Sequence, residues 1–524
     1  MCSRWRKPPV RTTRNRSSPE GATQSVHDMC RPFRARKKTT HGPVAHATGY
    51  TNAGPSGLKE SMPLPTHNVR ATTAAIQALI DAAARGENGG RAVVPPGEYT
   101  CAMLHMRTGV TLHISRGATL KVSTNFDDYD IHEETNAGNQ DRQPYHFIKA
   151  DNISDFTIEG DGILDGQGDL FWDKPYGDKH RGAVGLFYRH RIKRVSPMIE
   201  LRHCQRVTLR DFTIKNASGW TIHPYMCDFL KIDGITIDNN LFGPNTDGID
   251  LNGCRDVFIS NCNLKCGDDA IIIKAMQDAR STERVVVTNC VIESNCATLG
   301  LGAECHYDIR DICFTNCVAK AALRIIQIEM WEAGTIENVV ISNITGRDLP
   351  QVPLARSIYM DIQHWKRTDG KLGKLRNVSI SNFVAETRGR VMLTAGDGAT
   401  IDNVTLRDIT LTYPEIEDPQ QTVNQMRSSQ MSNSSPETRD KRAALVCDNV
   451  RNLRVFNMQT HWPDPALPAG VIEDHPVVGV HRTLPMHAGW FRNTTAHIES
   501  PALTASQPGL ERFVQHNAKI TVRD

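Results

Sequence analysis

The chain has 524 residues and a nearly balanced charge, with 61 lysines and arginines against 58 aspartates and glutamates and a formal net charge of +3. That balance gives no reason to expect nucleic acid or an anionic membrane surface as a partner. No stretch approaches ~18 consecutive apolar residues, so no transmembrane helix is expected. The 38 glycines and 27 prolines are ordinary for a globular protein.

The first 68 residues form a basic extension. Residues 1–45 contain RWRK, RTTRNR and RARKK, few apolar residues, and no run long enough for a signal-peptide core. This composition predicts a disordered tail or a start codon placed too early; a transit peptide or a polyanion-binding arm is the alternative. A cytoplasmic location is favoured, and a secreted or periplasmic one follows only if the start is misassigned. We therefore divide the chain into an extension over residues 1–68 and one domain over residues 69–524.

Residues 73–84, TAAIQALIDAAA, are expected to form the first ordered element. Their apolar side chains recur at helical spacing, and the pattern breaks in a run of glycines that begins at Gly86. Such a helix would cover the N-terminal end of the hydrophobic core, as a solenoid requires. Strands are predicted to follow in RAVVPPGEYT (91–100) and TGVTLHISRGATL (108–120).

Much of the remaining chain repeats one pattern: apolar, any, apolar, any, then Asn or Asp. The pattern begins again at Val257 and recurs after 28, 27, 27, 39 and 26 residues, the longest interval indicating an inserted loop. A period between about 20 and 50 residues indicates a solenoid. Each unit is a short strand rich in β-branched residues, with no helical pattern between the strands. We therefore predict an all-β fold, a right-handed parallel β-helix with an N-terminal capping helix.

An asparagine ends the strand of most repeats, and a cysteine often follows it. These asparagines are Asn261, Asn289, Asn316, Asn343 and Asn382. Asparagine tolerates the left-handed backbone of a tight bend, and stacked amides can hydrogen-bond along the solenoid axis. Cys262, Cys290 and Cys317 share one column, where a coil spacing of about 4.8 Å would also permit a disulfide. Three thiols cannot all pair, so we interpret them mainly as small buried hydrophobic residues, which mildly favours a reducing compartment.

Two apolar strand sequences carry a group of carboxylates, NTDGID (245–250) and CGDDA (266–270). Asp247 precedes Asp269 by 22 residues, about one coil, so we expect the two side chains within about 5 Å of each other. Asp268 adjoins Asp269. Like charges this close raise at least one pKa, which leaves a protonated acid beside ionised bases near neutral pH. Glycosidic bond cleavage needs that combination; the structural alternative is that these aspartates end strands or bind calcium.

These motifs carry a family resemblance. PNTDGIDL and CGDDAIIIK, together with GDGILDGQGDLFW (160–172) and WTIHPYMC (220–227), resemble the signatures of the polygalacturonase family, glycoside hydrolase family 28. The resemblance covers roughly residues 70–410. It implies a pectin-acting β-helix that hydrolyses galacturonans with inversion and needs no cofactor and no metal. The partner that it implies is a uronate-containing poly- or oligosaccharide, bound by a monomer.

The resemblance assigns roles residue by residue. Asp268 would be the general acid, and Asp247 and Asp269 would activate the attacking water. Arg324, in ALRII, matches the arginine of the family's Arg-Ile-Lys, which holds a uronate carboxylate. Asn245 belongs to the Asn-Thr-Asp motif and is a candidate substrate ligand.

Two positions depart from the family pattern. Ala297 stands where the family has the histidine of Gly-His-Gly, and Ile326 replaces the lysine of Arg-Ile-Lys. Loss of that lysine removes a charge-assisted hydrogen bond, typically worth about 1.5–3 kcal/mol. The acid and the bases remain, so hydrolysis is still expected. A chain whose adjacent sugar is neutral, such as rhamnogalacturonan or a decorated oligosaccharide, would tolerate Ile326 better than plain polygalacturonate.

Four further residues are candidates for contact with substrate. His223, about one coil before Asp247, and Glu304 are candidates to replace the missing histidine, although a histidine in a strand is more often packed and hydrogen-bonded. Lys274 either meets a substrate carboxylate or is a solvated lysine at a strand end. Trp331 either stacks on a sugar ring or belongs to the core.

Two alternatives to hydrolysis stay open. A polysaccharide lyase on the same scaffold would usually need a Ca²⁺-binding acidic cluster and an arginine or lysine base. A catalytically weak or silent carbohydrate-binding β-helix would explain the missing histidine.

Three stretches are predicted to be loops, at residues 124–150, 166–198 and 413–443, the last a long insertion without periodicity. Loops of this size could close one end of a surface groove, which would favour exo action. The sequence does not give the paths of these loops, so endo and exo action are both open.

Overall fold

The computed structural model describes residues 64–131, 141–175, 188–190, 193–349, 355–364, 371–396, 398–414, 438, 441–463, 474–475, 479–480 and 486–524. Every described residue belongs to one compact unit, residues 63–524. The predicted basic extension over residues 1–68 lies outside the described residues except at 64–68. Most of the predicted insertion at 413–443 also lies outside them, as do parts of the predicted loops at 124–150 and 166–198.

An α-helix opens the described domain. It runs over Val69–Ala84, and the side chain of Asn68 caps it by accepting a hydrogen bond from the Ala71 backbone N–H at 2.9 Å. Ile76 and Ile80 on its inner face are fully buried. The predicted capping helix is confirmed, and it begins earlier than residue 73, where the apolar pattern starts. Within the described ranges, no helix has the length and apolar character that crossing a bilayer requires.

Strands follow the helix through the rest of the described chain. In chain order they are β1 Arg91–Val94, β2 Gly97–Cys101, β3 Leu104–His105, β4 Thr111–Ile114, β5 Ala118–Val122, β6 Ile148–Asp151, β7 Thr157–Glu159, β8 Ile163–Asp165, β9 Trp172–Pro175, β10 Tyr188–His190, β11 Ile199–Arg202, β12 Gln205–Arg210, β13 Thr213–Lys215, β14 Ile222–Tyr225, β15 Asp228–Asp233, β16 Thr236–Asp238, β17 Ile249–Asn252, β18 Arg255–Ser260, β19 Asn263–Cys266, β20 Ile271–Ala275, β21 Thr282–Thr288, β22 Val291–Cys305, β23 Ile309–Met330, β24 Thr335–Asp348, β25 Arg356–Ile362, β26 Lys374–Glu386, β27 Arg390–Ala395, β28 Ile401–Thr412, β29 Ala443–Asp448, β30 Val450–Arg451, β31 Leu453–Phe456, β32 Gln459–His461, β33 Asp474–His475, β34 Gly479–Val480, β35 His487–Arg492, β36 Thr495–Glu499, β37 Phe513–His516 and β38 Lys519–Arg523. Short 3₁₀ turns occur at Glu87–Gly90, Phe126–Asp128 and Gly168–Phe171.

These strands wind into a parallel solenoid with three sheets. From β11 to β18, each strand pairs in parallel with the strand three positions later, so that β11, β14, β17 and β20 form one sheet and β12, β15, β18 and β21 form a second. The third sheet contains β13, β16 and β19. From β22 onward longer strands pass around the corners without a break. The predicted right-handed parallel β-helix is confirmed.

Alternation along the strands separates the core from the outer surface. In the first sheet, Ile249 and Leu251 stack on Ile271 and Ile273 of the next coil, and all four are fully buried. Burial of one such side chain contributes about 1.5–3 kcal/mol. The residues between them point to the opposite side of the sheet. We call that outward side of β11, β14, β17 and β20, and of the strand segments paired with them on later coils, the acid face.

The predicted asparagine bends and amide ladder are confirmed. The five predicted asparagines have φ between 50° and 58°, in the left-handed region. Along the axis, the Asn343 amide donates to Asn316 Oδ1 at 2.9 Å, and the Asn382 amide donates to Asn343 Oδ1 at 3.0 Å. The same side chain therefore permits the bend and joins neighbouring coils.

The predicted cysteine column is also present. Cys262, Cys290 and Cys317 are buried free thiols. They follow strand residues that are paired in register between successive coils. The interpretation of these cysteines as small buried hydrophobic residues is confirmed.

The ladder gives a first prediction. Asn343→Ala should destabilise the solenoid by about 1–3 kcal/mol, because alanine resists a left-handed backbone and lacks the amide that bonds Asn316 and Asn382. Asn343→Gly loses the amide but accepts the backbone angle, so it should destabilise less. Thermal unfolding followed by circular dichroism measures both effects. Equal losses for the two variants would contradict the role of the left-handed bend, and no loss would contradict the ladder.

Candidate active site

The hydrogen-bonded register between two coils aligns the predicted acids. Strand β17 pairs with β20 so that Ile249 lies opposite Ile271. Asp247 and Asp269 each precede their strand by two residues, and the Gly248 N–H donates to the Asp269 carbonyl oxygen at 2.9 Å. The two aspartates therefore share one axial column, with their backbones about 4.8 Å apart.

Asp268 joins this column from the side. One ligand atom from each of Asp268, Asp269 and Cys296 lies within 4.8 Å of the others. The next coil, β22, supports both acids: the Ala297 N–H donates to Asp269 Oδ1 at 3.2 Å, and the Ser294 hydroxyl donates to the Asp268 carbonyl oxygen at 2.7 Å. Three successive coils thus build one acidic patch, which we call the acid cluster: Asp247, Asp250, Asp268 and Asp269.

The acid cluster is open on one side and closed on the other. Asp268 and Asp269 are partly exposed, Asp247 is 4% exposed and Asp250 is fully buried. Oδ1 of Asp247 and Oδ2 of Asp250 have no hydrogen-bond partner among the described residues. A carboxylate in such a place is costly unless a proton or a nearby cation removes its charge.

Burial and mutual repulsion keep protons on these acids. Burial raises the pKa of Asp247 well above its ordinary value, and the charges of Asp250 and Asp268 raise it further. Burial raises the pKa of Asp269, with Asp268 adding to the effect. Burial also raises the pKa of Asp250 to about 8, against the opposing charge of Lys274. The cluster therefore retains protons near neutral pH, so a proton donor and proton acceptors are present together.

Lys274 supplies a buried positive charge beside these acids. Its Nζ lies 3.1 Å from Asp250 Oδ1, 3.5 Å from Glu304 Oε2 and 4.0 Å from the centroid of the Trp220 ring. The alternative that Lys274 is a solvated lysine at a strand end is wrong, because only 4% of the residue is exposed.

His223 is a packed and hydrogen-bonded histidine. It lies opposite Glu200 in the β11–β14 pair, and its Nδ1 is 2.6 Å from Glu200 Oε2. Both residues are buried. The register between β14 and β17 places His223 one coil before Asp250, so its ring borders the acid cluster.

Asn245 is partly exposed, with φ of 51°, in the turn that leads to Asp247.

Arg324 lies one coil beyond Ala297 and is held by a carboxylate of its own. Ala297 and Arg324 are paired in register between β22 and β23. The Arg324 guanidinium donates to Glu329 Oε1 at 2.8 Å and to the side-chain oxygen of Gln327. Burial raises the pKa of Glu329 to about 8, against the charge of Arg324. The orientation of the guanidinium is therefore fixed before any ligand binds.

Trp331 belongs to the same buried polar region. Its indole N–H donates to Asp361 Oδ2 at 2.9 Å, and the ring is buried. Asp361 lies opposite Glu329 in the β23–β25 pair, and burial raises its pKa to about 6. Of the two interpretations given to Trp331, the described structure matches the buried one.

The two departures from the family pattern have different surroundings. Ala297 borders the acid cluster through its hydrogen bond to Asp269. Ile326 instead lies in the hydrophobic core, opposite Leu299 and Ile358 on the neighbouring coils. The expectation that Ile326 deprives a sugar subsite of a cation is therefore wrong, because this side chain points away from the acid face.

Two arginines that follow Arg324 were missed in the sequence. Arg356 and Arg390 occupy the same register on successive coils, and both are buried. The Arg356 guanidinium carbon lies 4.5 Å from the centroid of the Tyr359 ring. A signal was present: ALRIIQIE around Arg324 returns 32 residues later as LARSIYMD around Arg356. Recognition of that repeat as one coil would have predicted the arginine column.

An ion pair from the loops was also missed. Arg194 Nη2 donates to Asp141 Oδ1 at 2.7 Å. The charge of Asp268 raises the pKa of Asp141, after the larger effect of burial. No periodic signal marks either residue, because both belong to stretches outside the repeat.

A metal ion could be shared by one described group, Asp268, Asp269 and Cys296. Carboxylates favour hard cations and a thiolate favours soft ones, so this donor set selects no particular metal. Activity without a metal or cofactor stays a prediction.

Comparison with models of protein families gives a match over most of the chain. Residues 90–433 match the model of glycosyl hydrolases family 28. A probable polygalacturonase from Vitis vinifera is 25% identical over 280 residues, which are 50% of this chain and 54% of that protein. An endo-polygalacturonase from Pectobacterium carotovorum subsp. carotovorum is 22% identical over 328 residues, which are 59% of this chain and 76% of that protein. The chain spans about half the length of several curated relatives that it matches.

Solved structures show the same fold. An exopolygalacturonase from Thermotoga maritima superposes with a TM-score of 0.52 at 20% identity, covering 65% of this chain and 83% of that one. A polygalacturonase from Erwinia carotovora ssp. carotovora gives a TM-score of 0.52 at 21% identity, covering 65% of this chain and 92% of that one. At these identities the likeness shows the fold alone.

The repulsion within the acid cluster gives a second prediction. Because Asp269 has a raised pKa in the folded state, its contribution to stability is present at low pH and is lost as the pH rises through that pKa. Asp269→Asn keeps the oxygen that accepts from Ala297 and never acquires the charge. We therefore expect the variant to raise the free energy of unfolding by about 1 kcal/mol at pH 8 and by less at pH 5, measured by chemical denaturation.

A matched control for this prediction is Asp238→Asn. Asp238 is an exposed carboxylate paired with Lys265 at 3.0 Å, and its loss should change stability little at either pH. A loss of stability for Asp269→Asn at pH 8 would contradict the account of mutual repulsion.

Proposed function

The chain belongs to glycosyl hydrolases family 28, and from that premise we propose that it hydrolyses glycosidic bonds in a pectic, galacturonate-containing poly- or oligosaccharide with inversion at the anomeric carbon. The observation that carries the proposal is the one-coil alignment of Asp247 with Asp269, with Asp268 beside them. Acid and base carboxylates on one patch are what single-displacement hydrolysis requires.

Each acid has a part in this reaction. Asp268, partly exposed, gives its proton to the glycosidic oxygen as the bond from that oxygen to the anomeric carbon breaks. Asp247 and Asp269 share the proton that a water molecule loses as its oxygen attacks the same carbon from the opposite face. The cluster then returns to its starting state by passing one proton back to Asp268.

The arginine column supports a uronate-bearing substrate. Arg324, Arg356 and Arg390 follow the acids along the acid face at one-coil intervals. Two buried carboxyl groups, Glu329 and Asp361, offset part of their charge. Burial raises the pKa of Glu329 to about 8, against the charge of Arg324, so these two groups present fewer than two full negative charges to the three arginines near neutral pH. The potential on this side of the acids therefore favours a negatively charged sugar. Arg324, next to Ala297, is the member that we propose to act on the substrate carboxylate.

Two features of the site favour the catalytically silent alternative. The family histidine is absent at Ala297, and Arg324 is already paired with Glu329. A protein with those two features could bind a pectic chain without cleaving it. The experiment below separates the two functions.

Asp268→Asn tests the catalytic assignment. The wild-type protein is incubated with homogalacturonan, rhamnogalacturonan and short galacturonate oligomers, and reducing ends and product size are followed. Removal of the general acid should lower kcat by about 10²- to 10⁴-fold. Nuclear magnetic resonance of the first product should show the inverted anomer. Asp238→Asn, remote from the acids, serves as the control and should retain full activity.

The outcomes of that experiment distinguish the alternatives. An unchanged rate in Asp268→Asn would reject the assignment of the acid. Binding of oligomers without any release of reducing ends would favour the silent binding protein. Unsaturated uronate products that absorb in the ultraviolet would favour a lyase.

Arg324→Met tests the preference for a charged sugar. Loss of a charge-assisted hydrogen bond to substrate should raise KM for de-esterified galacturonan about tenfold, with a much smaller change for the methyl-esterified chain, which lacks the carboxylate. The double variant Arg324→Met with Glu329→Gln leaves no buried charge unpaired and controls for instability. Equal effects on the two substrates would contradict the role of Arg324.

A further inference from the structure

A buried hydrogen-bonded pair and a buried ion pair lie on the coils around Asp247. Glu200 pairs with His223, and Asp250 pairs with Lys274 on the following coils. All four side chains are buried, and the desolvation of each charged group costs several kcal/mol. The coil after Asp250 carries Ile272 at the same register, also fully buried. The fold thus accepts an apolar side chain at this register, so packing alone does not explain the charges.

Three groups hold Lys274 in place. Asp250 and Glu304 flank its ammonium at 3.1 and 3.5 Å, and the Trp220 ring lies 4.0 Å below it. Each contact is favourable for a desolvated cation. A cation held in this way has a fixed position and does not extend into solvent.

The Glu200–His223 pair supports this arrangement from the preceding coil. The His223 ring lies 5.2 Å from the Trp220 ring, on which Lys274 rests. Glu200 fixes the His223 ring through Nδ1, and Nε2 has no hydrogen-bond partner among the described residues. The contacts therefore run from Glu200 through His223 and Trp220 to Lys274.

We propose that Lys274 is a positioning residue for the hydrolysis proposed above: clamped by Asp250, Glu304 and Trp220, its ammonium contacts the buried end of the acid cluster and favours the ionised form of the base Asp247. The inference rests on the proposed function. Its geometric basis is the set of three contacts that hold Lys274, one of which is to Asp250, the fully buried member of the acid cluster. Burial, followed by the repulsion of Asp250 and Asp268, raises the pKa of Asp247, whereas the charge of Lys274 lowers it. A lower pKa favours the ionised carboxylate, which is the form that a base needs.

Other charged groups also face the cluster and must be accounted for in any titration. The titratable and charged groups around Asp247 and Lys274 are Asp141, Arg194, His223, Asp250, Cys266, Asp268, Asp269 and Glu304. Among them, Asp250 and Glu304 are the groups that Lys274 contacts directly.

Two substitutions at Lys274 test the proposal. Lys274→Met removes the charge and keeps an unbranched stem over Trp220, whereas Lys274→Arg keeps the charge. Without the ammonium, Asp247 keeps its proton to a higher pH, so the limb of the pH profile on which activity rises with pH should move upward. We expect Lys274→Met to lower kcat about 10- to 100-fold with KM changed less than about twofold, and Lys274→Arg to restore most of the loss.

Two other roles for Lys274 predict different results. If Lys274 bound a substrate carboxylate, Lys274→Met would raise KM and leave the pH profile in place. If it were only structural, the unfolding temperature would fall with no shift in the profile. Either result overturns the proposal. Arg492→Met, which breaks the partly buried Arg492–Asp448 pair at 2.8 Å on a later coil, is the matched control and should lower stability without moving the profile.

A measurement without substrate separates this proposal from the proposed function. Infrared titration of protein with ¹³C-labelled aspartate reports carboxyl ionisation in the free protein. Lys274→Met should move carboxyl midpoints to higher pH, because Lys274 contacts Asp250 directly and lowers the pKa of Asp247 as well. In an Asp247→Asn background the part of the change that belongs to Asp247 should vanish, and the part that belongs to Asp250 should remain. A change that Asp247→Asn leaves undiminished overturns the role of Lys274 whatever the activity. A shift of the expected size in a protein that hydrolyses nothing would reject the proposed function alone.

Discussion

The register of hydrogen bonds between coils is the constraint on which the rest of this structure depends. In a parallel β-helix, residues at equivalent positions are forced to lie about 4.8 Å apart along the axis. Where the column contains asparagines, as at Asn316, Asn343 and Asn382, that spacing joins amides and stabilises the fold. Where it contains Asp247 and Asp269, the same spacing forces two carboxylates together and destabilises it. One geometric rule therefore produces both the ladder and the acid cluster.

Nearby cations compensate only part of the repulsion among the carboxylates of the acid cluster, and the uncompensated repulsion has a chemical use. Lys274, Arg194 and Arg324 place positive charge near the acids, but three cations do not cancel four carboxylates. Complete neutralisation by cations would remove the repulsion that adds to the effect of burial on the pKa values of Asp247 and Asp269. Incomplete neutralisation keeps protons in the cluster. The loss of stability at the acids and their capacity for acid–base chemistry have the same electrostatic cause.

Periodicity explains how much of this could be predicted from the sequence. The repeat of 26 to 28 residues predicts the solenoid, and the 22 residues from Asp247 to Asp269 predict their alignment. Side-chain burial outside the core was harder to predict. Lys274 was expected at a solvated strand end or on substrate, yet it is buried, because the residues that enclose it belong to other coils. Asp141 and Arg194 lie in stretches with no period, so their contact has no signature in the sequence.

Ile326 shows a different limit. The family alignment identifies it as a replaced lysine, but an alignment of letters does not state which way a strand faces. The coil register places Ile326 between Leu299 and Ile358 in the core, so the substitution says little about the substrate. Ala297 is the departure that borders the acids.

The surroundings of Ala297 suggest how the acid cluster can lack a histidine. A histidine beside the acids would add a hydrogen-bond donor and, when protonated, a positive charge. Here the Ala297 backbone N–H donates to Asp269, and positive charge comes from Lys274 on one side and Arg324 on the next coil. Both effects of a histidine are therefore present, divided among a main-chain amide and two buried cations. Neither cation loses its charge near neutral pH, as a histidine does, so the electrostatic environment of Asp247 and Asp269 should change less with pH than it would beside an imidazole.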